Sequence, residues 1–146
     1  MSVIYDTFPF LRALGENLPE QQALIHSNQK RHMIYYSNPI LKEYLSKAQS
    51  HGMSGIIFKR KLDDFFMKYK TKRIGKVSLV QAQSIIKNKH CKLCVDVDDH
   101  KFIEAALAGK VRFVITSDHG LLGLCPYTCN GITIEFVDSI SYTQIR

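Results

Sequence analysis

Asp98-Asp99-His100-Lys101-Phe102-Ile103-Glu104-Ala105-Ala106-Leu107-Ala108-Gly109 runs directly into Lys110-Val111-Arg112-Phe113-Val114-Ile115-Thr116-Ser117-Asp118. The first half reads as a helix: two acids stand at its head, Phe102, Ile103, Ala105 and Ala106 return at helical spacing, and Gly109 closes it. The second half reads as a strand over residues 111–115 that ends in two hydroxyls and a carboxylate. A helix feeding at once into an apolar strand is half of a parallel crossover, because parallel strands must be joined by a connection about as long as a helix.

The same alternation continues outward. Val3-Ile4-Tyr5 is a short apolar strand ending on Asp6, after which Thr7 and Pro9 open a helix that Gly15 stops. Residues 19–26 read as a helix with Pro19 in its first position, and Met33-Ile34-Tyr35-Tyr36 as a strand. Ser37 or Asn38 caps a helix that starts at Pro39 and reaches about residue 50. Over residues 56–69, Phe58, Leu62, Phe65, Phe66 and Tyr69 fall on one helical face and the opposite face is basic. Residues 78–89 are expected to be helical, with a strand near Val77 as the alternative, and Ile132-Thr133-Ile134-Glu135-Phe136 alternates as a last strand before Asp138. The expected fold is a three-layer α/β/α domain with a mostly parallel central sheet. With 146 residues, 45% of them hydrophobic, and no linker, repeat or low-complexity tract, residues 1–146 are read as a single domain with one core.

In such sheets ligands lie beyond the carboxyl ends of the strands, near the point where strand order reverses. Asp6 and Asp118 both end strands, and Asp99 in the first turn of the intervening helix faces the same edge. Three carboxylates in one cleft repel each other unless a cation neutralises them, and oxygen-only ligands select Mg²⁺ or Mn²⁺ over zinc. Such an ion beside a basic surface suits phosphodiester hydrolysis. Each acid also has a plainer explanation: Asp98 and Asp99 as helix caps, Asp6 as a strand end, Asp118-His119-Gly120 as a turn. Glu43 falls more than about 120° from the centre of the apolar stripe formed by Ile40, Leu41, Tyr44, Leu45 and Ala48, so periodicity makes it a surface residue.

Net charge is +7, and it is concentrated. Between Lys59 and Lys92 there are eleven Lys and Arg, including Lys68, Lys70, Lys72 and Arg73, against Asp63 and Asp64 alone. A stripe of this sign attracts phosphate backbones, with a solvated helix face as the competing explanation. Cys91, Cys94, Cys125 and Cys129 stand in a chain able to build a core without disulfides, so free thiols and a cytoplasmic, reducing location are expected. Their spacing also allows a zinc site; otherwise Cys91 and Cys94 are small core residues and Cys125 and Cys129 lie in a loop around Pro126. The start of the chain, Met1-Ser2-Val3-Ile4-Tyr5-Asp6, lacks the basic and apolar regions of a secretion signal, and no apolar run approaches the ~20 residues of a membrane span.

The segment from Asp98 to Gly109, followed by Val114-Ile115-Thr116-Ser117-Asp118-His119-Gly120-Leu121-Leu122, resembles the C-terminal half of PIN-domain nucleases, a family that includes the VapC-like toxins. Val3-Ile4-Tyr5-Asp6-Thr7 looks like the family's first strand and first metal aspartate. Ser37-Asn38-Pro39-Ile40-Leu41-Lys42-Glu43-Tyr44 is similar to its second acidic motif, and it is this resemblance that brings Glu43 into the site. Coverage runs from Asp6 to about Asp138, although residues 53–90 match in type and not in motif, and Phe8 departs from the small polar residue often found after Asp-Thr. The resemblance implies a Mg²⁺- or Mn²⁺-dependent endonuclease acting on RNA or another single-stranded nucleic acid. Its acidic set would be Asp6, Glu43, Asp99 and Asp118, supported by the hydroxyls of Thr116 and Ser117. It also implies a toxin that pairs with an antitoxin protein and forms a homodimer, or a free-standing RNA-processing enzyme. A catalytically silent binding module on the same fold is the alternative from another class. A phosphatase of the haloacid dehalogenase type would need a second aspartate where Phe8 stands.

Overall fold

The computed structural model of the chain describes residues 1–93 and 96–146. Its strands are β1 (Ser2–Tyr5), β2 (Met33–Ser37), β3 (Thr71–Ile74), β4 (Phe113–Ile115), β5 (Tyr127–Cys129) and β6 (Ile132–Val137). The helices are α1 (Thr7–Leu14), α2 (Glu20–Gln29), α3 (Asn38–Lys47), α4 (Gly55–Lys68), α5 (Lys76–Asn88), α6 (His100–Gly109), α7 (His119–Leu122) and α8 (Ser139–Thr143). The six strands form one sheet in the order β3-β2-β1-β4-β6-β5, parallel throughout except for β5 against β6. Helices flank this sheet, as the alternating pattern requires.

Strand order reverses between β1 and β4. From β1 the chain builds outward through β2 to β3, then returns to place β4 on the other side of β1 and adds β6 beyond it. Beyond Ser2 both central strands are apolar, which a strand covered on two faces demands: Val3, Ile4, Tyr5, Val114 and Ile115 are fully buried.

Three departures from the sequence reading have physical reasons. β3 is Thr71-Lys72-Arg73-Ile74, an edge strand with two exposed charges, and so carries no apolar run to betray it. β5 replaces the loop expected around Pro126: Asn130 and Gly131, at φ 51° and 76°, turn β5 back onto β6 as a hairpin. The Asn-Gly pair is a strong hairpin signal that was legible in the sequence. α6 does end at Gly109, but the left-handed residue that terminates it is Lys110, at φ 51°. Gly109 is needed for space instead, because a Cβ there would come within 3.0 Å of the Tyr35 ring and 3.3 Å of Ile74.

The cysteines also depart from expectation. The β5–β6 hairpin lays Cys129 beside the segment leaving α5, and Cys91 and Cys129 are joined as a disulfide with 5.7 Å between their Cα atoms. Two of the four thiolates required by the zinc reading are thereby bonded to each other, and Cys125 is free and exposed. Cys94 lies outside the described residues. Among the described residues no helix is long and apolar enough to cross a membrane.

Under the sheet, Tyr5, Ser27, Tyr142 and His32 form a buried hydrogen-bonded chain that ties β1, α2 and α8 together. Tyr5 Oη and Ser27 Oγ are 2.7 Å apart, Ser27 Oγ and Tyr142 Oη 2.8 Å, and Tyr142 Oη and His32 Nδ1 2.6 Å. Burial, with the positive N-terminus adding to it, pushes the His32 pKa below its usual value. A histidine whose pKa is lowered by folding stabilises the protein above its unfolded value of ~6.5, and that stability is lost as pH falls through the folded value. Between pH 7 and pH 5 the unsubstituted protein should lose more, or gain less, melting temperature than His32→Asn, which is less stable at pH 7. Equal slopes for the two proteins in a pH series of thermal melts would assign the acid sensitivity elsewhere.

Candidate active site

Parallel pairing of β1 with β4 sets Tyr5 opposite Ile115, and the Asp6 backbone N–H continues the ladder by donating to the Ile115 carbonyl at 2.8 Å. Asp6 is therefore fixed at the carboxyl end of β1, beside Thr116. Its side chain is 7% exposed and caps α1: Oδ1 accepts from the Thr7 N–H at 2.7 Å, and Oδ2 accepts from the Thr116 hydroxyl at 2.7 Å. Thr116 Oγ1 in turn accepts from the Asp118 N–H at 3.0 Å. One buried hydroxyl thus joins the ends of both strands. Asp118 caps α7, its Oδ1 accepting from the Leu121 N–H at 3.1 Å, and the residue lines the cleft.

Asp99 arrives by a different route. A turn of 3-10 helix, Val97–Asp99, leads into α6, and it is the Asp96 side chain that accepts from the Asp98 N–H there. Asp98 is exposed on this turn. Asp99 occupies the N-cap position of α6 yet makes no side-chain capping bond, so the cap explanation does not account for its carboxylate. Burial raises its pKa to about 6, and the negative charges of Asp6, Asp118, Asp96 and Glu43 add to the shift. Asp6 is raised as well, chiefly by burial, against the lowering effect of its two hydrogen bonds.

Glu43 is brought in by α3. Only Ile40, Tyr44 and Ala48 of the expected stripe are buried; Leu45 is 57% exposed and Leu41 half-buried. The apolar leucines displaced the apparent centre of the helix away from Glu43. Its carboxylate accepts from the Thr7 hydroxyl and from the Lys101 ammonium at 2.7 Å. Tyr44, next to it, donates its hydroxyl to the Tyr5 carbonyl and so clamps α3 onto β1.

Asp6, Glu43, Asp99, Ser117 and Asp118 line one open cavity of about 510 Å³, together with Thr7, Phe8, Lys47, His51 and His119. Thr116 lies beneath it, fully buried. The donor set is all oxygen, which suits a hard divalent cation. Among the described residues no three His, Cys, Asp or Glu side chains stand close enough together to grip an ion unaided. That is compatible with Mg²⁺, which is usually held by one or two carboxylates and keeps several waters.

The basic stripe does not reach this cavity. Lys70 precedes β3 at the end of the sheet opposite Asp6, Lys72 and Arg73 lie within that edge strand, and Lys68 lines a separate groove with Leu14, Glu16 and Leu24. Lys47, His51 and His119 are the basic side chains that line the cavity, and Lys101 reaches its edge through Glu43. Sequence reasoning passed over all four. Lys47 lies one helical turn beyond Glu43, a spacing that could have indicated it.

Comparison with known proteins agrees with this fold. The family model of the PIN domain matches residues 2–120. Among solved structures, the fold is similar to that of VapBC2 from Rickettsia felis bound to a DNA fragment from their promoter. The TM-score is 0.61 at 16% identity, covering 94% of this chain and 100% of that one. It is also similar to PAE2754 from Pyrobaculum aerophilum, with a TM-score of 0.53 at 13% identity over 98% of this chain and 86% of that one. At these identities the likeness concerns the fold alone. No curated protein sequence matches. The shared fold and the family match over most of the chain have one meaning: the protein belongs to the PIN domain family.

Proposed function

We propose that this chain is a metal-dependent endonuclease that hydrolyses phosphodiester bonds, with RNA as its substrate. The observation that carries the reading is the crowding of Asp6, Asp99, Asp118 and Glu43 around one open cavity at the point where strand order reverses. Membership of the PIN domain family supports it. One or two of Asp6, Asp99 and Asp118 would hold Mg²⁺ or Mn²⁺ directly and the rest would reach it through water; the ion when bound supplies Lewis-acid polarisation of a phosphoryl oxygen and a lowered pKa for an attacking water. The protein's own groups prepare the place. The Thr116 hydroxyl and the Thr7 N–H orient Asp6, while Lys101 and the Thr7 hydroxyl hold Glu43 at the cavity wall, where its carboxylate can accept a proton from the attacking water. Ser117 and Lys47 line the wall and offer a hydroxyl and an ammonium to substrate phosphate.

The fold likeness to VapBC2 and the resemblance to VapC-like toxins favour the toxin half of a toxin–antitoxin pair, with an antitoxin protein as partner and a homodimer as the assembly. The silent binding module is disfavoured, because a binding surface gains nothing from four acids in one cavity, where burial first and their mutual repulsion second raise the pKa values of Asp6 and Asp99.

Asp118→Asn or Asp6→Asn is expected to abolish Mg²⁺- or Mn²⁺-dependent cleavage of RNA while leaving the circular dichroism spectrum intact. Full turnover by either variant would remove that residue from the reaction. A carboxylate raised by folding stabilises the protein below its unfolded pKa of ~3.9, and this stability is lost as pH rises through about 6. The metal-free protein should therefore melt higher at pH 4.5 than its other groups alone would allow. Asp99→Asn should stabilise it at pH 7 by on the order of 1 kcal/mol after solvent screening. A destabilised variant at pH 7 would mean that Asp99 is held by favourable contacts and not by repulsion. For an RNA long enough to run from the cavity across the β3 edge of the sheet, neutralising Lys68, Lys70, Lys72 and Arg73 together should weaken binding and flatten its salt dependence, by roughly 0.7 in slope for each phosphate of a single strand that the variant no longer neutralises. An unchanged slope would return the stripe to a solvated face.

A further inference from the structure

Phe8 is an aromatic ring that the core does not use. It is the second residue of α1, whose buried positions are Thr7, Pro9, Phe10, Leu11, Ala13 and Leu14, and it is 44% exposed. Instead of covering apolar surface it lines the acidic cavity, two residues from Asp6. The ring is held in place by polar neighbours. The His51 imidazole meets it edge to face, with centroids 5.4 Å apart and planes at 70°, and the Arg12 guanidinium lies 5.2 Å from its centroid. Arg12 is itself tethered by Glu20 at 3.1 Å.

We propose that Phe8, with His51 beside it, is the seat on which an unpaired nucleobase of a single strand stacks next to the scissile phosphate; this rests on the nuclease reading above. A flat ring partly open to solvent, at the wall of a polar cavity, matches a ligand with an aromatic face and polar edges. A nucleobase has both, and stacking on aromatic side chains is the general means by which proteins hold unpaired bases. The Lys47 ammonium and the His51 ring line the same wall and can meet the base edge or the adjoining phosphate. A cavity of about 510 Å³ lies within the range of small-ligand sites and has room for a base with its phosphate. Bases inside a duplex are already stacked on each other and cannot use the seat. Phe8 therefore makes the enzyme select single strands.

The test measures equilibrium binding of fluorescent oligonucleotides to the Asp118→Asn protein, alone and combined with Phe8→Leu or Phe8→Trp. The probes are a single-stranded RNA, the same RNA with one abasic position moved along it, the matching single-stranded DNA, and the duplex. Cleavage by Phe8→Leu and by the unsubstituted protein is measured in parallel. Phe8→Leu should weaken single-strand binding by roughly five- to fifty-fold and raise KM more than it lowers kcat. Phe8→Trp should restore both. An abasic position near the cleavage point should carry a penalty that disappears in Phe8→Leu, and whichever strand, RNA or DNA, shows that coupled loss is the source of the base. Thermal melting should be unchanged, because the ring is outside the core. An abasic penalty that survives in Phe8→Leu, or duplex binding as tight as single-strand binding, overturns the seat while cleavage stands. Absence of metal-dependent cleavage by the unsubstituted protein overturns the nuclease reading and the seat together.

Discussion

The Thr116 hydroxyl, donating to Asp6 and accepting from the Asp118 N–H, is the interaction on which the site depends. It exists because β1 and β4 are neighbours and run in the same direction, so that both chains leave the sheet at one edge. Sheet strands carry hydroxyls and carboxylates with little cost at their ends and at great cost in their middles, where nothing satisfies them. The chain obeys this closely. Val3-Ile4-Tyr5 and Phe113-Val114-Ile115 are wholly buried, and polarity begins at the next residue of each, Asp6 and Thr116.

That arrangement fixes the electrostatics. Asp6 is buried yet accepts two hydrogen bonds, which keep its carboxylate from being an unsatisfied charge. Asp99 accepts no such bond among the described residues, and its raised pKa reports both burial and the company of other acids. Lys101 offsets part of the negative potential by pairing with Glu43, and the pair is only partly exposed, so water screens it less than a surface bridge. The cavity thus combines Asp6 locked in place, Asp118 capping a helix, Glu43 held by a lysine, and Asp99, which has no hydrogen bond among the described residues.

The sequence was most informative where periodicity and burial agree. β1, α6 and β4 were legible because their apolar residues are also their buried ones, and Asp6 and Asp118 were legible as the polar residues that end such runs. Glu43 was not, since Leu41 and Leu45 on α3 are apolar but line an open groove with Phe58 and Leu62, and a helical wheel cannot tell an unburied leucine from a core one. The edge strands were missed for related reasons: β3 is charged, and β5 has only three residues. Lys68, Lys70, Lys72 and Arg73 are close in sequence to one another but not to the acids in space, because charge density along a chain carries no information about which end of a sheet it decorates.

The disulfide between Cys91 and Cys129 closes a loop of chain with a sequence separation of 38, and Asp99 and Asp118 both lie inside it. In a chain-entropy account, a ring of that size narrows the unfolded ensemble by about 4 kcal/mol. In the oxidised protein the penalty for gathering two of the like-charged groups is thus partly met even in the unfolded state: a covalent lasso holds them on one short circuit of backbone, whereas Asp6 and Glu43 must be recruited from open chain.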